Sequence, residues 1–273
     1  MVNKEWTGER LEKHITNETM LEHLHRYAFA REFAKGKTVL DIACGEGYGC
    51  RLLAAEALQV TGVDIDEETI RRARQEYPDS SIHFLTGSIT SIPCPDNSFD
   101  LVTCFETLEH ITEQEQALKE ISRVLKPEGL LFISTPDKEK YSDQNGNKNP
   151  FHQKELYQNE FRELLSRYFT HTCFYGQQSL TVSLLLPETD PSLHVLYTGE
   201  YASIVKKIPP AMFLVGMASN FPIQQPAGSL FYHQHAIADQ MNAREKAVKQ
   251  TITYRTGHYL LAPFKAIRAL FRK

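Results

Sequence analysis

Three glycines spaced two residues apart, Gly45, Gly47 and Gly49, end the run TVLDIACGEGYG (38–49). A strand opening into a glycine turn lets backbone N–H groups approach a nucleotide-bearing cofactor closely. The dinucleotide spacing is G-x-G-x-x-G, and here the third glycine falls one position early. Asp41 in the strand and Glu46 in the turn add negative charge, which would repel a pyrophosphate and favour a cofactor with cationic parts. A tight turn with no ligand would need only one glycine. Downstream, Asp64 ends the second apolar strand within VTGVDID (60–66), where a carboxylate can accept from both hydroxyls of a ribose.

A second set of residues could move a proton. Glu106, Glu109 and His110 fall together in CFETLEHI (104–111), and His152 falls in NPFHQKEL (149–156). A neutral histidine can take the proton of a substrate hydroxyl. His110 could equally be a helix-start residue bonded to its loop, and His152 a cap or loop anchor. Glu106 and Glu109 either orient a histidine or bind a substrate hydroxyl, or they are the acids favoured in a first helical turn. The HQH at 233–235 has no further ligands near it in sequence and reads as a surface turn, so no metal is expected. Cys44 reads as a small filler of the glycine turn.

These residues need rigid elements to hold them. Short apolar runs at 38–43, 58–63, 82–86, 99–104 and 130–134 alternate with helical stretches at 67–77 and 113–125, and Lys126-Pro127-Glu128-Gly129 marks a turn. That alternation predicts a parallel sheet with right-handed crossovers and a ligand site beyond the C-terminal strand ends. A helix is expected over 17–34 and another over 155–169, with strands at 171–176 and 211–219. The segment 180–208, with Pro187 and Pro191, reads as an insertion.

S-adenosylmethionine has no phosphate and carries a sulfonium and an ammonium, so carboxylates at the loop favour it. The stretches VLDIACGEGYG, GVDID, GSITSIPCPDNSFDLVTCFETLEHI and EISRVLKPEGLLFISTPD resemble, in order, the motifs of class I S-adenosylmethionine-dependent methyltransferases, over about residues 37–136. The resemblance implies an α/β, doubly wound Rossmann-like fold. It would comprise an N-terminal helical cover (1–35), a methyltransferase domain (36–219) and a C-terminal extension (220–273). It implies cofactor contacts from Asp41, Gly45, Gly47, Asp64, Ile65, Ser88, Ile89 and Phe105. Ser88 stands where many members carry an aspartate for the adenine amino group, which leaves the ring to the backbone N–H of Ile89. Tyr27 resembles the tyrosine with which related sugar methyltransferases hold the methionine end; by itself it reads as a core aromatic. Arg10 pairs with the cofactor carboxylate or an anionic substrate, or is a surface arginine.

The flanks TGER (7–10), NPFHQKELYQNEFRELLSRYF (149–169) and YGQQ (175–178) resemble a bacterial subgroup that methylates surface polysaccharides or their sugar precursors beside glycosyltransferases. The expected activity is O-methylation of a sugar. The alternatives are methylation of a quinone-like or lipid-like small molecule, or an inactive cofactor-binding module that docks a glycosyltransferase. The basic amphipathic stretch 254–273 could lie on an anionic membrane or on such a partner. Among 273 residues the formal net charge is −4, which gives no field for nucleic acid. Five cysteines without CxxC spacing suggest free thiols, and no apolar run approaches the roughly 20 residues of a membrane span. A cytoplasmic protein is expected.

Overall fold

The computed structural model describes residues 18–180, 197–200, 203–206, 210–231, 248–254 and 256. Nine strands and five α-helices are described: α1 (Glu18–Arg31), β1 (Thr38–Ile42), α2 (Tyr48–Leu53), β2 (Gln59–Asp64), α3 (Glu67–Glu76), β3 (Ile82–Thr86), β4 (Phe99–Phe105), α4 (Gln114–Val124), β5 (Leu125–Pro136), α5 (Gln158–Ser166), β6 (His171–Gln177), β7 (Tyr197–Glu200), β8 (Ser203–Lys206) and β9 (Phe213–Ser219). Seven strands form one sheet in the order β3-β2-β1-β4-β5-β9-β6, while β7 and β8 pair separately as an antiparallel hairpin.

The central strands are apolar without alternation because both of their faces are covered. On one face Leu118, Ile121, Phe161 and Leu165 pack against Leu40, Val102 and Ile133. On the other, Tyr27, Ala30, Leu53 and Ile70 pack against Val39, Val60, Leu101 and Phe132. Local signals set the helix limits. Asp66 caps α3, its carboxylate accepting from Thr69 N–H at 2.7 Å, with Glu67 and Glu68 favourable in the first turn. α4 buries Ala117, Leu118, Ile121 and Val124, then stops where Leu125 turns extended two residues before Pro127.

Two expectations need correction. The Lys126–Gly129 turn lies inside β5 rather than before it: Leu125 pairs Phe99, the register shifts, and pairing resumes at Leu130 with Leu101. The sheet is also not wholly parallel, because β9 runs antiparallel to both β5 and β6. Gln177, at the end of β6, pairs Phe213, at the start of β9, so the chain between them leaves and returns at one edge of the sheet. A strand entered that way must run backwards, since a parallel one would need a crossover to the far edge. Phe213 also pairs Pro136 at the C-terminal end of β5, which puts this return beside the expected ligand site. Of the expected insertion, only the β7–β8 hairpin and residue 180 at its start are described. Residues 1–17, including Arg10, the HQH at 233–235 and residues 257–273 lie outside the described residues.

Candidate active site

The switch in strand order lies at β1, between β2 and β4, and the glycine turn follows it. Ala43, Gly45 and Gly47 all take left-handed backbone, with φ of 59°, 53° and 81°. A Cβ at Gly45 would meet nothing within 4 Å, so its face is open to a ligand. The other two glycines serve packing instead. A Cβ at Gly47 would press on the Phe84 ring, and one at Gly49 would lie 2.1 Å from Cζ of Tyr27.

Asp41 is buried beneath this turn. Its carboxylate accepts from Thr103 Oγ1 at 2.6 Å, from the Tyr27 hydroxyl at 3.2 Å to each oxygen, and from Cys50 Sγ at 3.4 Å. Burial pushes its pKa up to about 6 despite those donors. Asp64 accepts from Gly45 N–H at 2.9 Å and Asp66 N–H at 3.0 Å, tying the glycine turn to the end of β2.

Helix α1 closes over the turn and contributes a group that the sequence did not single out. Arg26 is 4% exposed. Its Nη1 meets Glu106 at 2.8 Å and donates to Ser134 Oγ at 3.0 Å, and its Nε donates to Gln177 Oε1 at 2.6 Å. Its Nη2 is buried with no hydrogen-bond partner among the described residues, which is costly for a charged donor. One turn earlier, His23 bonds the Tyr48 hydroxyl at 2.8 Å; burial, reinforced by the Arg26 charge, holds its pKa well below the usual value.

Glu106, expected to orient a histidine or bind an acceptor hydroxyl, is the counterion of Arg26. It sits at φ 51° and accepts from Ser134 Oγ at 2.6 Å. Phe105 packs edge-on against Tyr27, with ring centroids 5.0 Å apart. Tyr27 faces Asp41 rather than open space. Ile65 stands 70% exposed just beyond Asp64, an apolar surface beside the ribose position. The Ser88 hydroxyl is bonded to Thr90 Oγ1 at 2.8 Å, and the Ile89 side chain is in the core.

The two candidate histidines, far apart in sequence, meet in space with ring centroids 5.0 Å apart. His110 Nδ1 bonds the Phe151 carbonyl at 3.1 Å, and His152 Nδ1 bonds Glu155. Buried Glu109 accepts from Thr135 Oγ1 at 3.1 Å and lies 3.9 Å from His110 Nε2. Burial, with the Glu106 charge adding to it, raises the Glu109 pKa well above the carboxylate range. Beside this cluster lies a cleft of about 520 Å³ whose walls include Glu22, Tyr141, Asn147, Lys148, Asn149, Gln178, Ser179 and Phe213. Tyr141 meets His152 in a tilted pair with ring centroids 5.5 Å apart, and Phe213 lies under the Arg26 guanidinium at 4.9 Å. Two walls of the cleft thus contact His152 and Arg26 from its outer side.

S-adenosylmethionine matches these donors and charges. The buried Arg26 Nη2 could take its carboxylate, the open face of Gly45 could admit close approach, and the carboxylates of Asp41 and Asp64 give the turn a negative charge that would suit its cationic groups.

Comparison with known proteins agrees. Residues 40–133 match the model of a methyltransferase domain family. Over 162 residues the chain is 38% identical to a probable S-adenosylmethionine-dependent methyltransferase of Mycolicibacterium smegmatis, covering 58% of this chain and 62% of that one. It is 32% identical over 130 residues to the ubiquinone biosynthesis O-methyltransferase of Coxiella burnetii, covering 47% of this chain and 54% of that protein. The chain thus spans less than two thirds of either relative. In fold it is similar to the YcgJ protein of Bacillus subtilis, with a TM-score of 0.53 at 20% identity over 72% of this chain and 99% of that one. Residues 40–133 thus match a methyltransferase domain, the fold is of the class I methyltransferase type, and the cofactor is S-adenosylmethionine.

Proposed function

We propose that this chain transfers the methyl group of S-adenosylmethionine to a hydroxyl of a sugar, as part of a bacterial glycan or its nucleotide-linked precursor. The observation that carries the sugar reading is the lining of the cleft. Asn147, Asn149, Gln178, Ser179, Lys148 and Glu22 offer amides, a hydroxyl and charges, with Tyr141 and Phe213 as flat apolar walls. Such a surface suits a polyhydroxylated ring, which needs many hydrogen bonds and an aromatic face to lie on.

The bound cofactor supplies an electrophilic methyl on a sulfonium. Held there, it would give that methyl to an acceptor oxygen, the electron pair of the broken carbon–sulfur bond remaining on the sulfur of S-adenosylhomocysteine. The work of the chain is positioning: Arg26, Asp41 and Asp64 fix one partner, and the cleft fixes the other in line with it. The proton of the acceptor hydroxyl leaves at the His110–His152–Glu109 cluster.

A smaller aromatic acceptor is the second reading, supported by the likeness to the Coxiella O-methyltransferase. Incubation with methyl-labelled cofactor and separate sugar-nucleotide, oligosaccharide and catechol pools tests both. Label in a sugar product supports the first reading, and label in the catechol pool alone replaces it with the second. Cofactor binding without label in any pool would favour a non-catalytic module.

A further inference from the structure

We propose that Glu109, His110 and His152 form a binding site for a divalent first-row transition cation, behind the Tyr141 and Asn149 side of the cleft. One carboxylate oxygen of Glu109 and one ring nitrogen of each histidine all lie within 4.8 Å of one another. Two imidazoles with one carboxylate are a donor set for zinc, cobalt, manganese or iron rather than for magnesium or calcium.

The hydrogen bonds around the cluster give it the character of a built site. A ligating histidine ordinarily gives its other ring N–H to a carbonyl or carboxylate, which fixes the tautomer and aims the lone pair. Both histidines do so here: His110 through Nδ1 to the Phe151 carbonyl at 3.1 Å, His152 through Nδ1 to Glu155. The Nε2 of His110 is 3.9 Å from Glu109 Oε1. The Glu109 carboxylate is held from behind by Thr135. The amide of Asn149, 3.0 Å from His152 Nε2, is the group that an entering cation displaces. The His110 side chain is 25% exposed against 7% for His152, which gives the ion a way in.

Three protein ligands leave positions for solvent and for an acceptor oxygen. A hydroxyl bound there would lose its proton more readily, as metal-bound water does. That role rests on the methyltransferase reading; the binding does not.

Titration of the full chain with Co²⁺ alone, followed by its visible ligand-field absorption, tests the site. The expected result is one cation per chain, with the spectrum lost in Glu109→Gln and in the His110→Ala/His152→Ala double variant, both checked for fold by circular dichroism. Glu155→Gln, which changes only what orients His152, should weaken binding by about 10–100-fold. Cobalt bound no more tightly by the parent than by the double variant would overturn the proposal. If methyl transfer were nevertheless seen, the reaction would stand and the histidines would act without metal. If cobalt bound and no methyl moved, the site would stand and the reaction would fall.

Discussion

The Tyr27 hydroxyl bridges both oxygens of Asp41 at 3.2 Å, and so joins helix α1 to the strand that carries the glycine turn. The same ring fills the space above Gly49 and packs on Phe105. One residue therefore couples closure of α1 to the shape of the cofactor turn. Tyr27→Phe keeps the packing and removes the bridge. It should cost about 1–2 kcal/mol in urea unfolding, the penalty for depriving a buried acceptor of its donor.

Asp41 also makes stability depend on pH. Its folded pKa of about 6 lies above the 3.8 of a free aspartate. The folded chain therefore binds the extra proton between those values, and the contribution is complete below about pH 4 and lost as pH rises through about 6. Urea unfolding from pH 4 to 7 should show a downward slope worth on the order of 2–3 kcal/mol, absent in Asp41→Asn. An equal slope in the variant would place the titration elsewhere.

Arg26 is expected to hold the carboxylate end of the cofactor. Arg26→Met should weaken S-adenosylmethionine binding by about 10–100-fold, the loss of a charge-assisted hydrogen bond. Affinity for methylthioadenosine, which lacks the amino-acid end, should be unchanged. Calorimetry showing equal losses for both ligands would mean that the arginine only supports the fold.

Ala43 occupies left-handed backbone at φ 59°, a conformation that costs a β-carbon about 1–2 kcal/mol. Ala43→Gly should raise stability by about 0.5–1 kcal/mol after glycine's greater entropy loss is deducted. Phe161, fully buried where α5 meets the sheet, should cost about 3–5 kcal/mol on truncation to alanine. Thermal unfolding of both variants measures these effects.

The strands that position the cofactor were legible because burial on both faces writes them as unbroken apolar runs, as in TVLDI of β1. Pro127 likewise marks the end of α4 by local chemistry. The direction of β9 was not legible, since FLVGMAS reads the same whichever way the strand runs. Arg26 was missed because a charged residue in an amphipathic helix reads as solvent-facing; its polar partners Glu106, Ser134 and Gln177 and the Phe213 ring against it are all distant in sequence. Each histidine alone was visible, but their meeting depends on the return of the chain after β5. Glu106 was misread because its left-handed turn and its arginine partner both belong to the folded chain.

The most direct test of the account is calorimetric titration of the full chain with S-adenosylmethionine and, separately, with NAD⁺, repeated on Asp64→Ala. Saturable binding of S-adenosylmethionine, none of NAD⁺, and a loss of about 1.5–3 kcal/mol in the variant are predicted. No heat with S-adenosylmethionine, or an affinity untouched by removal of Asp64, would contradict it.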